Sequence, residues 1–317
     1  MINEMKYPDA VFEVGNLRGE GRMGKRQAAL ALVLVSALWG SSFVGAKVCI
    51  AAGMFTFEIL FFRFAIASLA IWMSFRKELK LFSRRAARIG ILAGVATACN
   101  YALELFGLLT VSASKAGFLI ATNSVIFSLM HCAVRRTKPK ISSLAAVVLS
   151  MVGVGVLGFT DGHLSELSIG DVLLLLSAGV CAFRNLLISE IGETESRIQV
   201  TFLQLFSAAI VLGIITVFRG FSGAYTVESV TAVIFLAIFP TYVCHMLKNV
   251  AMKYLDPILC MLILATESIF CAVFSILLLG DILSWQLLAG SVLIITAIVL
   301  EILDSAKRLN SEKREIA

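Results

Sequence analysis

An all-α integral membrane protein of ten transmembrane helices, arranged as two inverted-topology five-helix repeats, is the fold this sequence predicts. Three observations point there. The 317 residues are 59% hydrophobic and only 15% charged, against about a quarter charged in an ordinary soluble chain. The apolar residues gather into ten runs of bilayer-crossing length, which takes about 20 residues each. A short polar phrase also recurs inside two of those runs, ATNS at 121–124 and ATES at 265–268.

Taken in order, residues 1–26 carry charges of both signs and read as a solvated cytoplasmic tail, with Met23 an alternative start to Met1. The spans follow at 27–50, 55–75, 89–109, 113–134, 142–160, 169–189, 199–218, 229–251, 256–279 and 285–303. Only 110–112 separate the third from the fourth, so these two form a tight hairpin. A polar stretch at 161–168 is an external connector between the halves 27–160 and 169–303, and 304–317 is a second cytoplasmic tail. Lysine and arginine concentrate on the cytoplasmic side of a multi-span protein. Here 22 of the 27 fall on the side of the two termini, Lys248 and Lys253 among them. Arg219 stands alone opposite, and Lys47, Arg63, Lys115 and Arg184 lie within spans.

The recurring phrase sets the internal symmetry. At an offset of 144, residues 112–158 align with 256–302 without a gap, and seven of the 47 positions are identical. The third, fourth and fifth spans then overlay the eighth, ninth and tenth. Five spans per half is an odd number, so the second half crosses in the opposite sense to the first. Such inverted repeats place a substrate site near the bilayer midplane between the halves. Asn123 and Glu267 occupy matching positions half-way through their spans.

At ALWGSSFVGAK (37–47) and FFRFAIA (61–67), and again at LDP (255–257) and LLLGDILSWQLLAGSVLI (277–294), the sequence resembles the EamA family of the drug/metabolite transporter superfamily. The resemblance covers roughly 28–303. It implies ten spans, two inverted repeats, cytoplasmic termini, a bacterial inner-membrane location, and export or exchange of small metabolites. The implied cavity is lined by the first, third, fourth, sixth, eighth and ninth spans. The family's acidic residue after the ninth span is Asp281 here, and the proline two residues after the ninth-span acid is replaced by Ile269.

Ionisable side chains inside a bilayer are costly unless paired or wet, so each is a candidate for function. Substrate contacts are expected from Trp39, Asn100, Tyr101, Glu104, Asn123, Tyr242, His245 and Glu267. Glu267 either binds an amino group or carries a coupling proton, or else it is a neutral acid bonded to a neighbouring helix. Asn100, Tyr101 and Glu104 share a helix face, with Glu104 also able to pair with Lys115 or Arg63. Tyr242 and His245 stand at i and i+3, on a helix that Pro240 bends. Lys47 and Glu58 flank the 51–54 turn at similar depth and suit a hairpin salt bridge. Arg63 suits an outer gate with Glu104. Arg184 is read as snorkelling or pairing with Glu190, and Glu301 as interfacial.

The seven cysteines form no CxxC pair and read as buried thiols without metal or disulfide. GVGVLG (153–158) matches a dinucleotide-binding pattern, but no strand precedes it, so it reads as close helix packing. Hydrolase, metalloprotease and ATPase motifs are absent, and neither a cofactor nor nucleic acid is expected. The leading function is secondary transport of a small polar or amphipathic, amino-acid-like metabolite by alternating access, with protons a candidate coupling ion. The alternatives are a membrane enzyme acting on a lipid, and a membrane scaffold or regulator.

Overall fold

Among the described residues, eight helices are long and apolar enough to cross a membrane: α1 (Lys25–Ala51), α2 (Thr56–Phe75), α3 (Arg84–Gly107), α4 (Ala113–Val134), α5 (Ile169–Ser189), α6 (Arg197–Arg219), α7 (Val227–Ala251) and α8 (Leu259–Leu279). A shorter apolar helix, α9, covers Trp285–Ala297. The computed structural model describes residues 24–80, 82–134, 168–191, 195–255 and 257–297, with isolated positions between 136 and 164 and at 299–300. The expected fifth span at 142–160, the 135–140 and 161–168 connectors, both tails and Glu301 therefore lie wholly or largely outside the described residues. Within that stretch, β1 (Phe159–Thr160) and β2 (His163–Leu164) pair antiparallel, Phe159 opposite Leu164. Gly153 lies against Gly290 O and the Ile294 side chain of α9.

The helices begin where the sequence supplies caps. The hydroxyls of Ser83, Ser112, Ser168, Ser196 and Thr226 each accept from a backbone N–H in the first turn of α3 to α7. These caps satisfy donors that would otherwise be orphaned. Gly280 ends α8 in the left-handed conformation at φ +71°, which glycine adopts without a Cβ penalty.

The burial pattern is that of a protein in lipid. Leu34, Leu69, Ile214, Val217 and Phe218 are exposed on helix faces, whereas Glu58, Arg63, Asn100, Gln204, Lys248 and Asn249 are buried. Lipid tails are as apolar as leucine, so close packing and hydrogen bonds between helices must supply the cohesion. Gly40 shows how close the approach is. A Cβ there would stand 2.7 Å from Cys271 N and 2.8 Å from Phe270 Cβ, which brings α1 directly onto the backbone of α8. The WGSS phrase thus does what its small residues suggest, and holds Trp39 beside the middle of α8.

At one end of the bundle the turns are laced together. Glu58 accepts from Ser222 N at 3.1 Å and from Tyr225 Oη at 2.5 Å, tying α2 to the 220–226 turn. That hydrogen bond to the carboxylate holds the Tyr225 phenol above its usual range. Lys47 Nζ donates to Leu108 O at 2.5 Å. The expected Lys47–Glu58 salt bridge is therefore not made: each side chain takes a partner on a different helix pair, because α1 and α2 present these residues to different neighbours. The opposite end carries Arg85, which reaches Glu195 at 3.7 Å and Glu190 O at 3.3 Å. There Gln199 Nε2 also donates to Glu78 O at 2.7 Å.

Candidate functional site

The repeated phrase marks the same local event twice. In ATNS, α4 pauses at Thr122, whose hydroxyl donates back to Leu119 O at 2.7 Å while Ser124 donates to Ala121 O at 2.8 Å. In ATES, α8 pauses at Thr266, which donates to Ile263 O at 2.7 Å while Ser268 donates to Ala265 O at 2.9 Å. Hydroxyls bonded back along the helix compete with its ladder and bend it. Each break puts a polar side chain, Asn123 or Glu267, at the start of the second half-helix.

Those two side chains line one cavity of about 30 Å³, room for a water molecule or two. Trp39, Asn100, Tyr101 and Glu104 line it with them, so six of the eight expected substrate residues meet at one place. The carboxyls of Glu104 and Glu267 make no hydrogen bond or ion pair among the described residues. The expected pairing of Glu104 with Lys115 is replaced: Lys115 Nζ lies 2.9 Å from the Asp171 carboxylate. Arg63 does not pair with Glu104 either. Its Nε donates to Thr241 Oγ1 at 2.6 Å and its guanidinium lies 4.6 Å from the centre of the Tyr101 ring.

Tyr242 and His245 are the two that fall outside the cavity lining. The chain around Pro240 forms a π-helical stretch, Ala237–Val243, and this wider turn removes the shared face that i, i+3 spacing implies. Tyr242 Oη instead donates to Ser74 Oγ at 3.1 Å on α2. His245 is buried behind the cavity wall, its ring 5.6 Å from Trp39 and 6.2 Å from Tyr101. Its Nδ1 lies 2.9 Å from Thr241 O, so that nitrogen carries the hydrogen, and Nε2 has no hydrogen-bond partner among the described residues. The same stretch steers its neighbours. Trp39 Nε1 donates to Pro240 O at 2.7 Å, and Thr241 Oγ1 donates to Leu236 O at 2.7 Å, a carbonyl near the missing N–H of the proline.

Arg184, Asn185 and Cys181 of α5, and Ser42 of α1, complete the polar lining. None was among the expected substrate contacts. Arg184 does not pair with Glu190. Its Nη1 donates to Asn100 Oδ1 at 2.7 Å and its Nη2 to Cys181 Sγ at 3.1 Å. Lys248, counted with the connectors by charge, is fully buried and donates to Asn185 Oδ1 at 3.0 Å. Helical side chains lean toward the N-terminus of their own helix. Long basic ones near the C-terminal ends of α5 and α7 therefore reach back toward mid-span. The available signal was the pair of basic-asparagine dipeptides, Arg184-Asn185 and Lys248-Asn249.

Above the cavity, the Lys47 end is closed by charge. Lys115 bridges α4 to Asp171 of α5, and Asp281 after α8 accepts from Ser114 N at 3.1 Å and Ser114 Oγ at 2.7 Å. Asp171 is buried and Lys115 only partly so. Removing one partner of such a pair leaves the other desolvated and alone. Lys115→Met is expected to lower stability by about 1–3 kcal/mol, and Lys115→Arg to restore most of it. Thermal unfolding of the purified variants measures this, and an unchanged midpoint for Lys115→Met would show that the bridge holds nothing.

A model of the EamA-like transporter family matches the chain twice, over residues 26–159 and 168–303. An uncharacterized transporter of Archaeoglobus fulgidus is 27% identical over 273 residues, 86% of this chain and 85% of that one. The uncharacterized transporter YcxC of Bacillus subtilis is 24% identical over 306 residues, 90% and 94% of the two chains. One crystal structure of a protein superposes with a TM-score of 0.67 at 14% identity, covering 90% of this chain and 99% of that chain. Likeness at that identity speaks for the fold alone.

Proposed function

We propose, because this multi-pass membrane protein belongs to the EamA-like transporter family of the drug/metabolite transporter superfamily, that it is a secondary transporter of small, amino-acid-like metabolites. In this reading it has ten spans in two inverted halves, 27–160 and 169–303. It lies in a bacterial inner membrane with both termini in the cytoplasm, and it exports or exchanges its substrate by alternating access.

One observation carries the reading: Asn123 and Glu267, equivalent in the repeated phrase, line a single cavity together with Trp39, Asn100, Tyr101 and Glu104. A cavity of about 30 Å³ is far below the roughly 300–1,000 Å³ of small-molecule sites. Loading it requires the helices around it to part. The Lys115–Asp171 and Ser114–Asp281 contacts hold one end together, and the buried bond of Lys248 to Asn185 and the partly buried one of Arg197 to Asn249 O lie toward the other. Opening the ends in turn would give access from each side, which is how inverted-repeat transporters work.

The test is counterflow. Purified protein in liposomes preloaded with a mixture of amino acids is expected to accumulate labelled amino acids transiently from outside. Uptake no greater than in protein-free liposomes, for every amino acid tried, would overturn the assignment of substrate class.

A further inference from the structure

The charges around the cavity are incompletely answered. Arg184 is only 2% exposed, yet its Nε has no hydrogen-bond partner among the described residues. Along the Nε–Nη2 edge the one acceptor is Cys181 Sγ at 3.1 Å, and sulfur is a weak acceptor. Glu104 and Glu267 line the same cavity, and among the described residues neither is hydrogen-bonded to the guanidinium or within ion-pair distance of it. Lys248, behind the Trp39 ring with Nζ 6.0 Å from its centre, is bonded to the neutral Asn185. Positive groups on α5 and α7 thus face neutral acceptors, while the carboxyls of Glu104 on α3 and Glu267 on α8 make no hydrogen bond or ion pair among the described residues.

Leaving buried polar and charged groups without hydrogen-bond partners is costly. A ligand bearing both signs would supply what is missing on both sides. We infer that Arg184 is the anion anchor of this cavity: it takes the carboxylate of a zwitterionic substrate along its Nε–Nη2 edge, while the substrate's ammonium group faces Glu104 and Glu267. The assignment rests on the reading of the cavity as the transport site. The guanidinium edge matches a carboxylate with two parallel hydrogen bonds. Asn100 fixes the fork from the other side, and is itself held by Ser177, which accepts from Asn100 Nδ2 at 2.6 Å and donates to Asn100 O at 3.0 Å. Trp39, Ile120, Met261 and Leu264 leave an apolar wall for the rest of the molecule.

Thermal unfolding of the purified protein tests this without knowledge of the natural substrate. The probes are the twenty amino acids and, for each that raises the midpoint, its carboxamide and its decarboxylated amine, for example L-leucine, L-leucinamide and 3-methylbutylamine. A ligand raises the midpoint only by binding the folded form. At least one free amino acid is expected to stabilise the protein, its amide and amine much less. Arg184→Gln should need roughly tenfold or more of the acid for the same shift, and Arg184→Lys, which keeps the charge without the fork, an intermediate amount. Equal stabilisation by acid and amide, an unaltered response in Arg184→Gln, or no shift with any amino acid would each overturn the anchor. The wild-type comparison needs no variant to fold. Counterflow separates this from the transport reading. Flux of compounds lacking a carboxylate, with no amino acid bound, removes the anchor and keeps a transporter. Arg184-dependent binding of amino acids with no flux of any solute keeps the anchor and removes the transporter.

Discussion

Glu267→Gln is expected to reduce gradient-driven transport to the level of protein-free liposomes. The substitution keeps the shape of the side chain and removes its charge and its exchangeable acid proton. Glu267 makes no hydrogen bond or ion pair among the described residues and lines the cavity at the head of a half-helix. The two roles open to it separate cleanly. If Glu267 carries a coupling proton, uphill accumulation driven by a proton gradient disappears while substrate exchange across the membrane survives. If it holds the substrate's amino group, exchange disappears as well. Measuring both modes in the same vesicles decides between them, and unchanged transport in both would reject any role for Glu267 in the site. Glu104→Gln provides a comparison on the opposite wall.

The second large effect is structural. Gly94→Ala is expected to destabilise the protein by about 3 kcal/mol or more, enough to empty the folded fraction recovered in detergent. A Cβ at 94 would stand 1.8 Å from Ser207 Oγ and 2.5 Å from Gln204 O. The hydroxyl can rotate away, but the second atom is backbone, so α3 and α6 would have to separate. Their separation strains the buried bond that joins them, in which Gln204 Nε2 donates to Thr97 Oγ1 at 2.9 Å. Gly179 on α5 is the control, since nothing lies within 4 Å of a Cβ there. Gly179→Ala is expected to be neutral or to stabilise by up to about 1 kcal/mol, from helix propensity alone. Size-exclusion profiles and unfolding midpoints of the two variants give the comparison. Equal midpoints would mean that α3 and α6 do not pack at Gly94 as described.

Much of the site was legible along the chain because its residues violate the hydropathy of their surroundings. Asn100, Glu104, Asn123 and Glu267 stand out inside apolar runs, and the ATNS and ATES phrases mark both helix breaks by residue type alone. Trp39 was legible through the small residues beside it, which let α1 approach α8. The misplaced residues are those whose position depends on side-chain direction or helix rotation. Arg184 and Lys248 have backbones near the end of their helices and charges near the middle. Tyr242 and His245 would share a face on a regular helix, and the π-helical turn at Pro240 separates them. Lys47 and Glu58 match in depth and still find partners elsewhere.

By itself, the chain of 317 residues determined that the protein lives in a bilayer, where most of its helices run, and which mid-span groups are too polar to face lipid. Those properties depend on depth along a single axis, and depth follows from hydropathy and residue count. Only the tertiary structure decided which of those groups meet: that Lys115 pairs with Asp171, that Arg184 braces Asn100, and that Glu267 and Glu104 are left facing a shared space. Pairing depends on how each helix is rotated and how closely it packs. A helix can turn about its axis without changing the depth of any residue, so rotation leaves no trace in a hydropathy profile.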